Sequence, residues 1–241
     1  MPPPSAERKA LSEGLQSLNE NMVTMAELSE LAIRTAVGTL GIRGVETASP
    51  ASAKPADVFT LDQEIYGLKQ KVEVDCVNLI ALHAPVARDL RTITSSLEVT
   101  AHLDRIGRYA KDIAESSERI RAETGGTDES ERFPKIARMV DLTIQMVDTA
   151  VQSFVHRDAE PVRHIIQDDD AVDALHSEVF QEVVDRMSDR TVSPQVGAQF
   201  ILINRYLERI ADHAVNIGEQ VVYMLTGERP PRLPPAPPRL R

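Results

Sequence analysis

Apolar side chains recur at Phe200, Ile203, Leu207, Ile210, Ala214, Ile217, Val221 and Met224, stepping by three and four residues without a break. Only an α-helix places such positions on one stripe, and a stripe this long needs other helices to cover it. The same rhythm runs through Leu11, Leu15, Leu18, Met22 and Met25, and again through Ile65, Leu68, Val72, Cys76 and Leu79. Alternation of period two is absent, so the fold class expected is all-α. Aromatic residues make up only 4% of the chain and Trp is absent. The core must then be built from Leu, Ile, Val, Ala and Met, which suits helices meeting along narrow seams.

Breaks divide the pattern. Residues 43–59 are rich in Gly, Ser, Ala and Pro and read as a loop. Pro85 and Pro194 are expected in the first turns of the helices that follow them, with Ser193 capping the second. Gly125-Gly126-Thr127-Asp128 marks the middle of the chain. Six prolines among residues 228–241 forbid a helix there and suit a polyproline-like or disordered Pro/Arg-rich tail.

An internal repeat organises the rest. Residues 103–115, from Leu103-Asp104-Arg105-Ile106 to Ala114-Glu115, match residues 207–219, from Leu207-Glu208-Arg209-Ile210 to Gly218-Glu219. Upstream, Asp62-Gln63-Glu64-Ile65-Tyr66 parallels Asp169-Asp170-Ala171-Val172-Asp173, and the helix through Met25 and Leu40 parallels that through Met139 and Phe154. Leu40 to Asp62 is a step of 22 residues against 15 from Phe154 to Asp169, which places an insertion in the 43–59 loop. The expected architecture is a tandem repeat of two three-helix bundles with six long helices. Residues 1–122 form the first bundle, 130–227 the second and 228–241 the tail.

Carboxylates carry the candidate chemistry. Asp169 and Asp173 lie one turn apart on one helix of the second unit, and Glu208 and Asp212 one turn apart on another. Each pair borders an apolar seam, so facing seams bring four carboxylates together. At roughly 6 Å and an effective dielectric near 20, each like-charged pair costs ~3 kcal/mol, which a proton or a cation relieves. An all-oxygen set favours Mg, Ca, Mn or Fe over a thiolate-loving ion, and Asn216 adds a carbonyl oxygen one turn on. Acids at this spacing also occur as a plain solvated face, and both readings stand. The first unit is degenerate. It offers Asp62, Asp104 and Asp112 but places Tyr66 and Arg108 where the second unit has Asp173 and Asp212. Arg108 puts a fixed cation there and can pair with Asp104 or Asp112, so weak metal binding or none is expected in this half.

Other chemistries fit less well. The Glu-x-x-His pairs of carboxylate-bridged redox bundles reduce here to one Asp173-Ala174-Leu175-His176. His83, His102, His156, His164 and His213 show no ligand spacing, which suits surface or boundary roles. No glycine-rich phosphate loop or nucleophile motif is present, so no enzyme is expected. The single cysteine, Cys76, excludes an internal disulfide and reads as a buried thiol. A formal net charge of -10 argues against nucleic acid as a partner. No signal peptide and no apolar run of membrane-spanning length is present, so a cytoplasmic protein is expected.

The segment Leu207-Glu208-Arg209-Ile210-Ala211-Asp212, followed by Ala214-Val215-Asn216-Ile217, resembles the repeated signature of the PhoU family, as does Ala87-Arg88-Asp89-Leu90-Arg91-Thr92-Ile93 ahead of the first copy. The resemblance runs from about residue 7 to 227 and includes the tandem symmetry. It implies a non-catalytic regulator that restrains the phosphate ABC transporter and its ATPase and relays phosphate sufficiency to a membrane sensor histidine kinase. Such a protein is peripheral to the membrane through its partners, and a homodimer is expected. It implies, too, a metal cluster, often iron or zinc, at Asp169, Asp173, Glu208 and Asp212. A helical oxidoreductase with a carboxylate-bridged metal and a purely structural bundle are the alternatives.

Overall fold

The structure, a computed structural model, describes residues 6–40, 54–125 and 133–229. Six helices account for nearly all of them: α1 (Ala6–Thr39), α2 (Pro55–His83), α3 (Ala87–Thr124), α4 (Pro134–His156), α5 (Val162–Ser188) and α6 (Pro194–Thr226). No strand occurs among the described residues.

The helix ends follow from local chemistry. Ser193 Oγ accepts a hydrogen bond from the Val196 amide at 3.2 Å, and Pro194 stands at the first position of α6, where its missing N–H is harmless. Gly125 (φ 63°) and Gly227 (φ 81°) close α3 and α6 in the left-handed conformation that glycine adopts without strain. Two expectations are corrected. Pro85 does not lie in the first turn of α3; it is buried in the link ahead of Val86, the residue that precedes the helix. The 43–59 loop is too long, because α2 already begins at Pro55. There Asp57 accepts the Lys54 amide at 3.0 Å, and Val58 extends the buried stripe of Ile65 and Val72, so helix chemistry overrides the loop-like composition. Residues 43–53, 126–132 and 230–241 lie outside the described residues.

Helices α1, α2 and α3 pack on one another, as do α4, α5 and α6, which gives the tandem three-helix bundles. The first core is centred on Met22, Met25, Ile33, Ile65, Val72, Ile93, Leu103 and Ile106, and the second on Met139, Met146, Ile165, Val172, Ile203, Leu207, Ile210 and Ile217. Cys76 belongs to the first core: burial and the neighbouring Asp75 and Glu73 charges push its thiol up to about 12, so it is inert. The bundles join chiefly through α3 and α6, with α1 against α4 as a second contact, while α2 and α5 form the outer flanks. Arg91 meets Met224, His102 meets His213 and Tyr109 meets Tyr206, so α3 and α6 run antiparallel.

Candidate cation-binding face

The acidic pairs sit where α5 lies on α6. Val172 and Leu207 are fully buried in the seam, which turns their neighbours Asp173 and Glu208 to its border. The four carboxyl groups act on one another across the two helices. Burial, then Asp173, Asp212, Asp170 and Glu208, raise Asp169 to about 7. Burial and then Asp212 raise both Asp173 and Glu208 above the usual carboxylate range. Asp173 and Asp212 therefore belong to one patch.

Two arginines of α6 moderate the repulsion. Arg205 Nη1 donates to Glu208 Oε1 at 2.5 Å, Arg209 Nη1 donates to Asp212 Oδ2 at 2.9 Å, and Arg209 Nε lies 3.7 Å from Glu208 Oε2. That Oε2 is buried without a hydrogen-bond partner. Asn216 directs its Nδ2 onto the Asp212 carbonyl at 2.7 Å. Among the described residues no three His, Cys, Asp or Glu side chains close on a single point. The donor chemistry fits a hard cation, since it is all oxygen, electrostatically strained and carries one orphaned buried carboxylate oxygen. The arrangement is an open patch, and a cation held there must compete with Arg209 for Asp212.

The first bundle handles the equivalent positions differently. Asp104 is almost fully buried, with Lys69 Nζ at 3.1 Å and Arg108 Nε at 3.4 Å, both on Oδ2. Asp62 faces Lys111 at 4.0 Å. Tyr66 spreads its ring between Lys69 and Arg108, each 5.9 Å from its centre. Burial, then Glu115, raise Asp112. Arg108 thus pairs with Asp104, and this face is neutralised by its own side chains.

Two features escaped the sequence reading. Lys69 supplies the closest cation to Asp104, and the repeat register that pairs Asp62 with Asp169 makes His176 its counterpart. His176 Nδ1 is buried without a partner. His102 and His213 are not ordinary boundary residues: their Nδ1 atoms lie 2.9 Å apart across the α3–α6 joint, flanked by stacked Tyr109 and Tyr206. The repeat itself holds the signal, because His102 aligns with Tyr206 and Tyr109 with His213, placing four rings on one antiparallel seam.

The model of the PhoU domain matches this chain twice, over residues 22–117 and 136–221. The chain belongs to the PhoU family. Each PhoU segment spans one of the two acidic faces, so their difference in charge lies within the family's shared framework. A PhoU homolog of Deinococcus radiodurans, named a phosphate-specific transport system accessory protein, is 29% identical over 85% of this chain and 100% of its own length. PhoU homolog 2 of Mycobacterium tuberculosis, named in the same way, is 30% identical over 92% of this chain and 100% of its own. The crystal structure of PhoU from Pseudomonas aeruginosa superposes with a TM-score of 0.79 at 27% identity, covering 90% of this chain and 99% of that one. Among the described residues no helix is long and apolar enough to cross a membrane.

Proposed function

We propose that this PhoU protein is a non-catalytic regulator of phosphate uptake and phosphate-starvation signalling. It acts in the cytoplasm, as a homodimer, through contacts with the phosphate ABC transporter's ATPase and a sensor histidine kinase. The names of its relatives support the link to phosphate transport. The observation that carries the site is the unequal charge of two equivalent faces: Lys69, Arg108 and Lys111 neutralise the first, while on the second burial and then the charges of Asp173, Asp212 and Glu208 raise Asp169. These four residues would hold a divalent or trivalent cation, Fe, Zn, Mg, Mn or Ca, which supplies charge neutralisation at that face. Asn216 is the further donor. Asp62, Asp104 and Asp112 hold metal weakly or not at all.

The test has two arms. Bound metal is measured in the purified protein and in the Glu208→Ala plus Asp212→Ala variant; the expected result is loss of metal, and unchanged content removes the site. Pull-downs from phosphate-replete and phosphate-starved cells are expected to recover transporter or kinase components, and recovery of neither in both conditions overturns the partner assignment. The arginines folded onto Glu208 and Asp212 favour a second reading, in which the face is structural and closed by its own cations. Stability indifferent to chelators and to added divalent cations selects that reading.

A further inference from the structure

The joint between the bundles uses one arrangement twice. In the repeat register position 102 of α3 corresponds to 206 of α6, and 109 to 213. The His102–His213 and Tyr109–Tyr206 contacts therefore occupy equivalent places on one antiparallel seam. Two stacked tyrosines fill one of them, with ring centres 5.9 Å apart. Packing thus asks only for rings at such a place. The other place holds two imidazoles, which bring a pair of nitrogen donors that packing does not need.

Those donors are close together and held in position. Their Nδ1 atoms lie 2.9 Å apart, and both residues are half-buried on helices that run unbroken through the joint. Tyr109 stacks on the His213 ring at 5.8 Å and 25°, so that ring is oriented before any ligand arrives. Metal–nitrogen bonds of about 2.0–2.1 Å set at a right angle, as in a tetragonal shell, place two nitrogens roughly 2.9 Å apart. A tetrahedral shell asks for roughly 3.3 Å, a small opening of the seam. The ring centres are 5.1 Å apart, so the nitrogens now face one another in line, as a shared proton requires. To take a metal, each ring tilts and the shared proton passes through water to Nε2 of its own ring. Both imidazoles stay neutral, and both Nδ1 lone pairs turn to the ion. Water fills the remaining positions, since the pair is only half-buried.

The surrounding charges select the class of ion. Glu98 on α3 favours a cation beside His102, whereas Arg105 and Arg209 oppose one beside His213. Charge alone does not hold a cation here, which disfavours Mg and Ca, ions bound through oxygen ligands. Imidazole nitrogen suits Cu, Ni and Zn, with copper the tightest of the divalent series.

We propose that His102 and His213 chelate one divalent ion of the copper, nickel and zinc class, which clamps α3 to α6 and fixes one bundle on the other. The clamp draws on none of the four carboxylates of the acidic face, so it stands or falls apart from the cation proposed there.

Copper(II) is the probe, added to the untagged full chain after chelator treatment. Electron paramagnetic resonance is expected to show coupling to two nitrogens, at one copper per chain. The Tm is expected to rise by about 5 °C or more at a hundredfold excess over Kd. His213→Phe is expected to weaken this binding at least tenfold and to remove the two-nitrogen pattern. His102→Tyr plus His213→Tyr copies the Tyr109–Tyr206 stack, so it keeps the seam filled; its helical circular dichroism should match the parent's while the copper signal is lost. An oxygen-only copper signal in the parent overturns the clamp, as does a two-nitrogen signal that survives either variant. The Glu208→Ala plus Asp212→Ala variant is expected to keep the nitrogen-bound copper. Two-nitrogen copper that disappears there yet survives His213→Phe places the ion on the acidic face and overturns the clamp.

Discussion

Asp104 lies almost entirely out of water and receives Lys69 and Arg108 on one oxygen, while its other oxygen has no hydrogen-bond partner. Arg108 is half exposed and Lys69 is not, so Lys69 carries more of the compensation that a buried charge demands. Lys69→Met is therefore expected to destabilise the protein by about 2–4 kcal/mol, and adding Asp104→Leu to recover most of the loss, both read by urea denaturation. A loss below about 1 kcal/mol shows that Arg108 suffices alone. On the second face the sign is reversed. Asp169 is held near 7 against an ordinary 3.8, burial being the main cause. Below the ordinary value it is protonated in both states. As pH rises from there through about 7 the unfolded chain releases its proton first, so the fold loses stability across that window. Asp169→Asn should then be more stable than the parent at about pH 8, by roughly 1–3 kcal/mol, and indistinguishable from it at about pH 4, both measured with a chelator present. Spacing alone revealed that these acids share a face. It could not reveal that Arg205 and Arg209 fold back onto two of them, nor that position 69 on a neighbouring helix supplies a cation in one repeat and an imidazole in the other. Those facts depend on rotamers and helix register.

Helix identity was readable because three-and-four spacing runs along α2, α3 and α6, joined by a proline start and a glycine stop on α6 and by a glycine stop on α3, and consistency across such signals is what makes a sequence specify one structure. The start of α2 shows where composition misleads: four of the residues 55–59 look loop-like or weakly helical, yet Val58 has a buried slot and the Lys54–Asp57 bond closes the first turn. Glycines inside helices divide by the same logic of slot and surface. Gly67 sits mid-helix on the exposed side of α2, with nothing within 4 Å of where a Cβ would be. Gly67→Ala is expected to stabilise by about 0.5–1 kcal/mol through helix propensity alone. At Gly218 the Cβ would come within 2.9 Å of Val162 Cγ1. Valine on α5 is stiff about its first torsion and cannot swing aside, so the propensity gain is overrun. Gly218→Ala should lower stability by about 1 kcal/mol or more, and thermal unfolding of the two variants should move in opposite directions. Equal gains in both would mean that α5 and α6 have room to separate.

What joins the two bundles was the least legible part, because a three-and-four stripe marks only the face a helix buries in its own bundle. The second face of α3 and α6 is built from His102, Tyr109, Tyr206 and His213, which carry no apolar period and show themselves only when the repeat is folded antiparallel. Their chemistry gives the whole molecule an acid limit. Two Nδ1 atoms 2.9 Å apart share one proton between them, one nitrogen donating and the other accepting. Burial, His102, Arg105 and Arg209 lower His213 to about 4, and burial lowers His102 against the opposing pull of Glu98. Above the ordinary histidine value of 6.5 both imidazoles are neutral, folded or unfolded, and the joint carries no titration cost. As pH falls from 6.5 toward about 4 the unfolded chain takes up protons that the folded joint refuses, so stability declines through that window. The decline from His213 should amount to roughly 1–3 kcal/mol. His213→Phe keeps a ring for Tyr109 to stack on and removes the titrating partner, so its denaturation midpoint should change less between about pH 6.5 and 4 than that of the parent. Because α3 against α6 is the broadest helix–helix contact among the described residues, both bundles should feel the change together, in one cooperative transition. An acid limb of unchanged slope in the variant would show that the histidine pair is not its source, and two separate transitions would mean that each bundle stands without the joint.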